Sequence, residues 1–93
     1  MRSWNNDELV RIEKMVLAWK EHYLLQAGPE DGWEFLCDDF RDEIQTHVYP
    51  YLRRMCESKL LAWDEMRVFL EYCDFLVEDL RLKIKERSHA GKV

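Results

Sequence analysis

Acidic and imidazole side chains at helical spacing are the first candidates for chemistry in this 93-residue chain. Asp39, Glu43 and His47 follow one another every four residues, so on a helix they line one side. Carboxylates and imidazole on one stripe are ligands that divalent metals accept. No second Glu-x-x-His or His-x-x-x-His sequence is present to complete a two-metal site. We therefore predict a solvated acidic flank, with no resident metal and no other cofactor.

Two acidic pairs suggest a second kind of chemistry. Asp39-x-x-Asp42 and Glu71-x-x-Asp74 lie on two different predicted helices. This arrangement resembles the MazG-like nucleotide pyrophosphatases, small all-helical oligomers that hydrolyse nucleoside triphosphates with Mg²⁺. The resemblance implies that Mg²⁺ would be held against phosphate oxygens by four carboxylates, those of Asp39, Asp42, Glu71 and Asp74. The chain departs from the family pattern where Asp replaces Glu in the first pair and Cys73 replaces a glycine in the second.

The cysteines give little support for covalent catalysis. Cys37, Cys56 and Cys73 are odd in number and widely spaced, and they lie within or beside apolar helical stretches. We predict three small buried hydrophobic side chains. Only Cys56 has cationic neighbours in the sequence, Arg53 and Arg54, and neighbours of that kind lower the pKa of a thiol.

Charge and composition limit the classes of function. The chain carries 14 Lys and Arg against 19 Asp and Glu, and its aromatic residues are interleaved with acids. Nucleic-acid binding needs a clustered basic face, so nucleic acid is excluded as the main partner. No apolar run approaches the length of a membrane span. These features predict a cytoplasmic protein that binds protein, with neither nucleic acid nor membrane as a partner.

The acidic segment, residues 30–43, is a candidate docking face because it holds seven acids and one base. Charge of one sign at this density exceeds what a helix dipole requires and is self-repelling. We predict that Asp38, Asp39 and Asp42 attract a basic protein, or the basic C-terminal end of a neighbouring chain. The alternative is a solvated surface that only aids solubility.

Helices must position all of these side chains. Apolar residues, 47% of the chain, repeat with a helical period, and only 3 Gly and 2 Pro interrupt them. The pattern predicts one all-α domain over residues 1–93, a small up-and-down bundle of three long helices plus one short helix. The predicted helices cover residues 6–27, 30–48, 51–58 and 62–87. Residues 1–5 and 88–93 are expected to fray.

Individual residues set these boundaries. Asn5 or Asn6 is expected to cap the first helix, because an Asn side chain accepts from the amides of the first turn. Gly28 supplies a left-handed stop at its end. Pro50 is expected to end or kink the second helix, with Tyr49 before it in an extended conformation.

Each long helix has an apolar face that predicts the core. On the first helix the face consists of Leu9, Ile12, Val16, Trp19 and Tyr23. On the second it consists of Trp33, Leu36, Cys37, Phe40, Ile44 and His47. On the last it consists of Met66, Leu70, Cys73, Val77, Leu80 and Ile84.

Two helices also carry apolar residues beyond the core face. The last helix has a second stripe, which lies roughly opposite the first and comprises Val68, Tyr72, Phe75 and Leu82. The first helix has a smaller one, comprising Val10, Leu17 and Leu24. A second stripe is either the margin of a wide core or an interface with another chain. We predict an interface on the last helix, most simply in a homodimer.

These features together favour a non-enzymatic protein-binding helical module that self-associates. An adaptor, a regulator and a small assembly factor all fit that description. One alternative is the Mg²⁺-dependent nucleoside triphosphate pyrophosphatase that the acidic pairs resemble. The other is a structural subunit of a larger complex.

Overall fold

The computed structural model describes residues 4–27 and 34–90, with side chains over residues 4–27 and 34–87. Its elements are α1 (Asp7–Gln26), α2 (Glu34–Glu43), a π-helical segment (Ile44–Val48), α3 (Tyr49–Glu57) and α4 (Trp63–Ala90). The predicted all-α class is confirmed. Because α2, the π-helical segment and α3 follow without a break, the predicted short helix is the continuation of a long composite helix.

α1 begins where the sequence predicted. Asn6 has extended backbone angles, and its Oδ1 accepts a hydrogen bond from the Glu8 amide at 2.9 Å. This is an N-cap, and Asp7 and Glu8 place carboxylates at the positive end of the helix dipole. The predicted stop at Gly28 and the predicted start at Glu30 lie outside the described residues.

The composite helix passes through Pro50 instead of ending there. At the end of the π-helical segment the Tyr49 amide donates to the carbonyl of Ile44, five residues back. Tyr49 is helical, with φ −57° and ψ −51°, so the predicted extended conformation is wrong. Pro50 lies in the first turn of α3, where a missing N–H is tolerated, and the helical backbone on both sides outweighs the local preference before a proline.

α4 begins with half of a capping box. The Ala62 amide donates to Glu65 Oε1 at 3.3 Å, while Ala62 has no side-chain oxygen to return the bond. Leu61 and Met66, on either side of this start, are both buried. At the other end α4 continues to Ala90, three residues beyond its predicted end.

The N-terminal segment is anchored at Trp4, although fraying was predicted over residues 1–5. The Trp4 ring packs against Phe69 of α4 with ring centroids 4.9 Å apart. Residues 1–3 and 91–93 lie outside the described part of the chain.

α1 and α4 run parallel. At the start of both helices Asn6 Nδ2 donates to the Leu60 carbonyl at 3.1 Å. At their far ends Arg87 Nη1 donates to the Leu24 carbonyl at 2.8 Å. Each bond joins a helix to the chain beside it, so together they fix the direction of α1 against α4.

The composite helix runs antiparallel to α1. Glu43, near its middle, accepts a hydrogen bond from Tyr23 near the end of α1. Tyr51, further along, donates to Glu8 at the start of α1. The three helical rods are therefore arranged up, down and up, as predicted.

The core contains most of the predicted apolar faces. Leu9, Ile12 and Val16 of α1 are buried, and Trp19 and Tyr23 pack half-buried against them. α4 buries two residues that the sequence pattern did not assign to the core, Phe69 and Leu76. Among the described residues no helix combines the length and apolarity that crossing a membrane requires.

The core assignment of His47 is wrong, and the π-helical segment gives the reason. His47 is exposed, and Val48 is buried in its place. A π turn holds more residues than an α turn, so the residue that returns to the core after Ile44 comes one position later. Trp33 of the same predicted face lies outside the described residues.

Candidate binding surfaces

The three thiols are buried and free, as predicted, and burial raises the pKa of each. The pKa of Cys73 rises to about 12, because burial and then the charges of Asp74 and Glu13 disfavour a thiolate. Such thiols are poor nucleophiles at neutral pH. Cys37, Cys56 and Cys73 therefore act as small hydrophobic side chains.

Cys56 does not have the activating environment that its sequence neighbours suggested. Its Sγ lies 3.7 Å from Met66 Sδ in the core. Besides burial, the charges of Glu65 and Glu57 raise the pKa of this thiol. The two arginines before it, at positions 53 and 54, are exposed.

The two acidic pairs lie on different sides of the bundle. Asp39 and Asp42 are exposed on the side of α2 that faces α1, where their charges help to raise the pKa of Tyr23. Asp74 instead lines a small groove between the composite helix and α4, beside Arg41. The pairs are therefore not arranged around a common site.

Glu71, the remaining carboxylate of the resemblance, accepts a hydrogen bond from Arg67 Nη1 at 3.4 Å along α4. Within residues 4–27 and 34–87 no group of three or more His, Cys, Asp or Glu side chains is placed to hold a metal ion. These ranges include all four carboxylates of the pyrophosphatase resemblance, and also the stripe of Asp39, Glu43 and His47. The geometry gives neither set a metal-holding cluster.

A groove of about 440 Å³ runs between α1 and the middle of the composite helix. Its floor is apolar and includes the buried Ile12 and Val48. Its remaining lining consists of Arg11, Met15, Trp19, Glu43, His47 and Tyr51. An apolar floor with a few polar groups at its edges is the usual form of a binding site, and we call it the α1–π groove.

One end of the α1–π groove is aromatic and acidic. The rings of Trp19 and His47 meet edge to face, with centroids 6.3 Å apart. Glu43 Oε1 accepts a hydrogen bond of 2.5 Å from the Tyr23 hydroxyl. Burial, this bond and the charges of Glu43 and its acidic neighbours raise the pKa of Tyr23 to about 12. Tyr23 is therefore a protonated donor in a negative environment.

The other end of the groove holds a compensated cation. Arg11 Nη2 donates to Glu8 Oε2 at 2.7 Å, and the Tyr51 hydroxyl donates to the same oxygen at 2.7 Å. The Arg11 guanidinium also lies 5.9 Å from the centre of the Tyr51 ring. Hydrogen bonds from Arg11 and Tyr51 lower the pKa of Glu8, so this carboxylate stays ionised beside Arg11.

The second apolar stripe of α4 is divided between core and surface. Tyr72 is half-buried, with its ring 5.6 Å from Trp4 and 6.3 Å from Phe69. Phe75 and Leu82 stay 62% and 56% exposed. Val68, one repeat earlier, is half-buried. We call Val68, Phe75 and Leu82, spaced seven residues apart, the α4 ridge.

Ion pairs flank the α4 ridge. Glu71 pairs with Arg67 at 3.4 Å, and Glu78 pairs with Arg81 at 3.4 Å. Glu71 and Glu78 lie four residues before and three residues after Phe75, so both are its neighbours on the helix surface. The ridge therefore has an apolar centre and a polar, locally neutralised rim.

The smaller second stripe, on α1, belongs to the core. Leu17 and Leu24 are half-buried and pack against the buried residues. Val10 is half-buried as well. A wide core accounts for Leu17 and Leu24 of this stripe.

The predicted acidic docking face is exposed wherever it is described. Asp38, Asp39 and Asp42 are all at the surface of α2. Arg41 is the single base of this acidic segment, and its Nη2 lies 3.8 Å from Oε1 of Glu78 on α4. Glu30 and Asp31 of the same segment lie outside the described residues.

Comparison of the chain with protein-family models, with curated proteins and with solved structures gives no match. The resemblance to the pyrophosphatases thus rests on the two acidic pairs alone.

Sequence reasoning missed the π-helical segment that contributes to the α1–π groove, although the spacing of the buried residues reveals it. Phe40, Ile44, Val48 and Leu52 are each four residues apart, and all are buried. An ideal α-helix turns by 40° more than a full circle over four residues, so three such steps would carry Leu52 off the core face. A turn wider than α is needed between them, and the π-helical segment supplies it.

Proposed function

We propose that the chain is a non-enzymatic protein-binding module that self-associates through the α4 ridge. The single observation that carries this proposal is the ridge itself. Phe75 and Leu82 expose more than half of their surface on a helix whose opposite face is already packed in the core. Exposed large apolar side chains in a regular row are characteristic of a protein interface.

The spacing of the ridge suits a second copy of the same chain. Val68 and Leu82 are equidistant from Phe75 along α4. In an antiparallel pair related by a two-fold axis at Phe75, each Phe75 meets its counterpart and each Val68 meets Leu82 of the partner subunit. A two-fold interface requires a self-complementary patch of this kind. The ridge spans about four turns, or roughly 21 Å, of helix.

The rim of the ridge is compatible with this pairing. Antiparallel contact brings Glu71 and Glu78 of both copies around the central Phe75 pair. Repulsion among them is reduced because Arg67 and Arg81 already pair with them within each chain. An apolar centre with a polar rim is the usual anatomy of a protein interface.

Adaptor, regulator and assembly factor are all roles that a self-associating binding module can serve. Three buried free cysteines suit a reducing compartment, and we place the protein in the cytoplasm.

The first experiment is light scattering of the purified chain and of two charge variants. Phe75→Glu puts a carboxylate at the centre of the proposed interface and should convert a dimer into a monomer. Leu25→Glu is the matched control. Leu25 is 67% exposed on α1, so this variant introduces the same charge at an apolar residue away from the ridge. A wild type that is monomeric at its highest soluble concentration, or a Phe75→Glu variant that stays dimeric, contradicts the proposal.

The second experiment tests the antiparallel geometry by disulfide cross-linking under mild oxidation. Phe75→Cys should cross-link to itself. Val68→Cys and Leu82→Cys should each cross-link poorly alone and efficiently when mixed. A parallel pair would reverse the last two results. The native thiols give little background because all three are buried.

A further inference from the structure

We propose that the α1–π groove binds an arginine side chain of a basic protein segment. This site lies on a different face from the α4 ridge, and it takes a different partner. It does not depend on self-association.

The shape of the groove suits a long side chain with a charged end. Ile12 and Val48 make an apolar floor, and Met15 on α1 extends it. An arginine stem has three methylene groups that can lie along such a floor while its guanidinium reaches further. The volume of about 440 Å³ leaves room for the side chain and part of the adjoining backbone.

The aromatic end of the groove can hold the guanidinium. Trp19 is half-buried and meets the exposed His47 ring edge to face, which gives the groove an aromatic wall. A guanidinium packs against tryptophan both as a cation on a π face and as a flat group on a flat ring. A lysine ammonium lacks the second of these contacts.

Glu43 supplies the opposite charge at that end. Its Oε1 accepts from Tyr23, and within the described residues no hydrogen bond is made to its Oε2. A guanidinium at the Trp19 wall can donate to this second oxygen in a charge-assisted bond. Because burial and the local carboxylates keep Tyr23 protonated, its hydroxyl continues to hold Glu43 in position.

The wider charge distribution also favours a cation. Asp39 and Asp42 lie near enough to Tyr23 for their charges to act on its hydroxyl, which places both beside the Glu43 end of the groove. Arg11, the one cation among the described residues that line the groove, is at the other end and is neutralised by Glu8. An incoming arginine therefore meets carboxylates at one end and a closed ion pair at the other.

These charges identify the partner as a basic segment. Asp38, Asp39 and Asp42 form an exposed acidic approach on the surface of α2, and such a surface accelerates association with basic chains. The approach steers the segment, and the groove then holds one arginine. The acidic approach alone would attract lysine and arginine equally, whereas the groove distinguishes between them.

The test is a titration of the full chain, monitored by NMR. The probes are three tripeptides that are acetylated at the N-terminus and amidated at the C-terminus. Ala-Arg-Ala carries the guanidinium, Ala-Lys-Ala carries an ammonium, and Ala-citrulline-Ala is a neutral isostere of the first. The readouts are the indole N–H of Trp19, the ring of His47 and the methyl of Met15. We expect Ala-Arg-Ala to move all three signals, Ala-Lys-Ala to bind more weakly, and the citrulline peptide to have no effect.

A pair of carboxylate variants locates the site. Glu43→Gln removes the charge but keeps an oxygen that can accept from Tyr23, so the fold is preserved. It should weaken Ala-Arg-Ala binding by about tenfold, the value of one charge-assisted hydrogen bond. Glu57→Gln, at the exposed end of α3, removes an equal charge outside the lining of the groove and should leave binding unchanged. Binding should also weaken as salt is added.

Three results would overturn the proposal. Equal shifts with the arginine and citrulline peptides would show that the groove does not read charge. An equal loss in Glu43→Gln and Glu57→Gln would show that net charge alone attracts the peptide. Shifts confined to Asp38, Asp39 and Asp42, with none at Trp19, would reduce the site to a solvated acidic surface.

Discussion

Lys59 occupies a backbone position that normally belongs to glycine. It follows α3 with φ 64°, in the left-handed region, and its amide donates to the Cys56 carbonyl at 3.0 Å. The next amide, that of Leu60, donates to the Met55 carbonyl at 2.8 Å, which closes the end of the helix. A side chain with Cβ is strained in this conformation.

Lys59→Gly should therefore stabilise the protein by about 0.5–1 kcal/mol, since relief of left-handed strain exceeds the added chain entropy of glycine. Urea unfolding followed by circular dichroism measures the change. Ser58→Gly is the matched control, because Ser58 precedes it with φ −86° and carries no such strain. The control should be slightly less stable than wild type. A Lys59→Gly variant that loses as much stability as Ser58→Gly contradicts the assignment of strain.

Tyr23 and Cys73 make stability sensitive to alkaline pH. Their pKa values rise from the ordinary 10.0 and 9.0 to about 12 in the folded chain. A group with a raised folded pKa stabilises the fold fully below its ordinary pKa and loses that contribution as pH passes the folded value. The contribution of Tyr23 and Cys73 to the free energy of unfolding should therefore be lost progressively as the pH rises from 9 to 12.

Thermal unfolding at a series of pH values tests this expectation. Tyr23→Phe and Cys73→Ala should each flatten the decline above pH 9, because each removes one of the groups responsible. Tyr49→Phe changes an exposed tyrosine and should leave the slope as in wild type. Identical slopes in all four proteins would exclude Tyr23 and Cys73 as the cause.

The π-helical segment behaves as one residue inserted into an α-helix. The buried positions Phe40, Ile44, Val48 and Leu52 are separated by four residues each. Removing one exposed residue between Ile44 and Val48 would leave steps of four, three and four, which is the regular pattern of an α-helical core face. The insertion contributes to the α1–π groove and is not needed by the core, and π-bulges are often found at functional sites.

Deletion of the exposed Thr46 should convert the π-helical segment into α-helix and leave the core register intact. We expect a variant that melts at or above the wild-type temperature and no longer binds Ala-Arg-Ala, because Glu43 and His47 are re-spaced along the groove. Calorimetry and the same NMR titration give the two readouts. Deletion of the exposed Asp38 is the control. It rotates Leu36 and Cys37 off the core and should cost several kcal/mol, on the order of 2–5.

The sequence predicted the helices well because their signals are local. The Asn6 cap and the apolar periods of α1 and α4 specify elements without knowledge of their neighbours. The π turn could not be found in that way, since counting 3.6 residues per turn through Ile44 brings His47 to the core face. Phe69 and Leu76 lie outside the narrow stripe that the spacing of α4 predicts, because contact with two helices buries a wider face.

The two candidate surfaces differ in how far the sequence alone could predict them. Phe75 and Leu82 could be predicted as apolar residues outside the core, because they lie opposite the core positions on a single helix. The α1–π groove could not, because Trp19 and His47 meet only through the antiparallel arrangement of α1 and the composite helix. Pairs within one helix can be derived from spacing, and pairs between helices require the fold.

The two proposed surfaces share no residue and no helix. The α1–π groove is lined by α1, the end of α2, the π-helical segment and α3. The α4 ridge lies entirely on α4. The molecule is elongated, with extents of 52 × 23 × 17 Å, and α4 takes part in the core through its opposite face.

This separation predicts that self-association and arginine binding are independent. Phe75→Glu should become monomeric and bind Ala-Arg-Ala as the wild type does, whereas Glu43→Gln should stay dimeric and lose peptide affinity. The double variant should show both losses with free energies that add, as expected for distant sites without shared partners. Salt provides a second distinction, because added salt should weaken the charge-dependent groove and change the apolar ridge little. A Phe75→Glu monomer that no longer binds the peptide would show that the groove is completed by the second copy, and the two surfaces would then form one site.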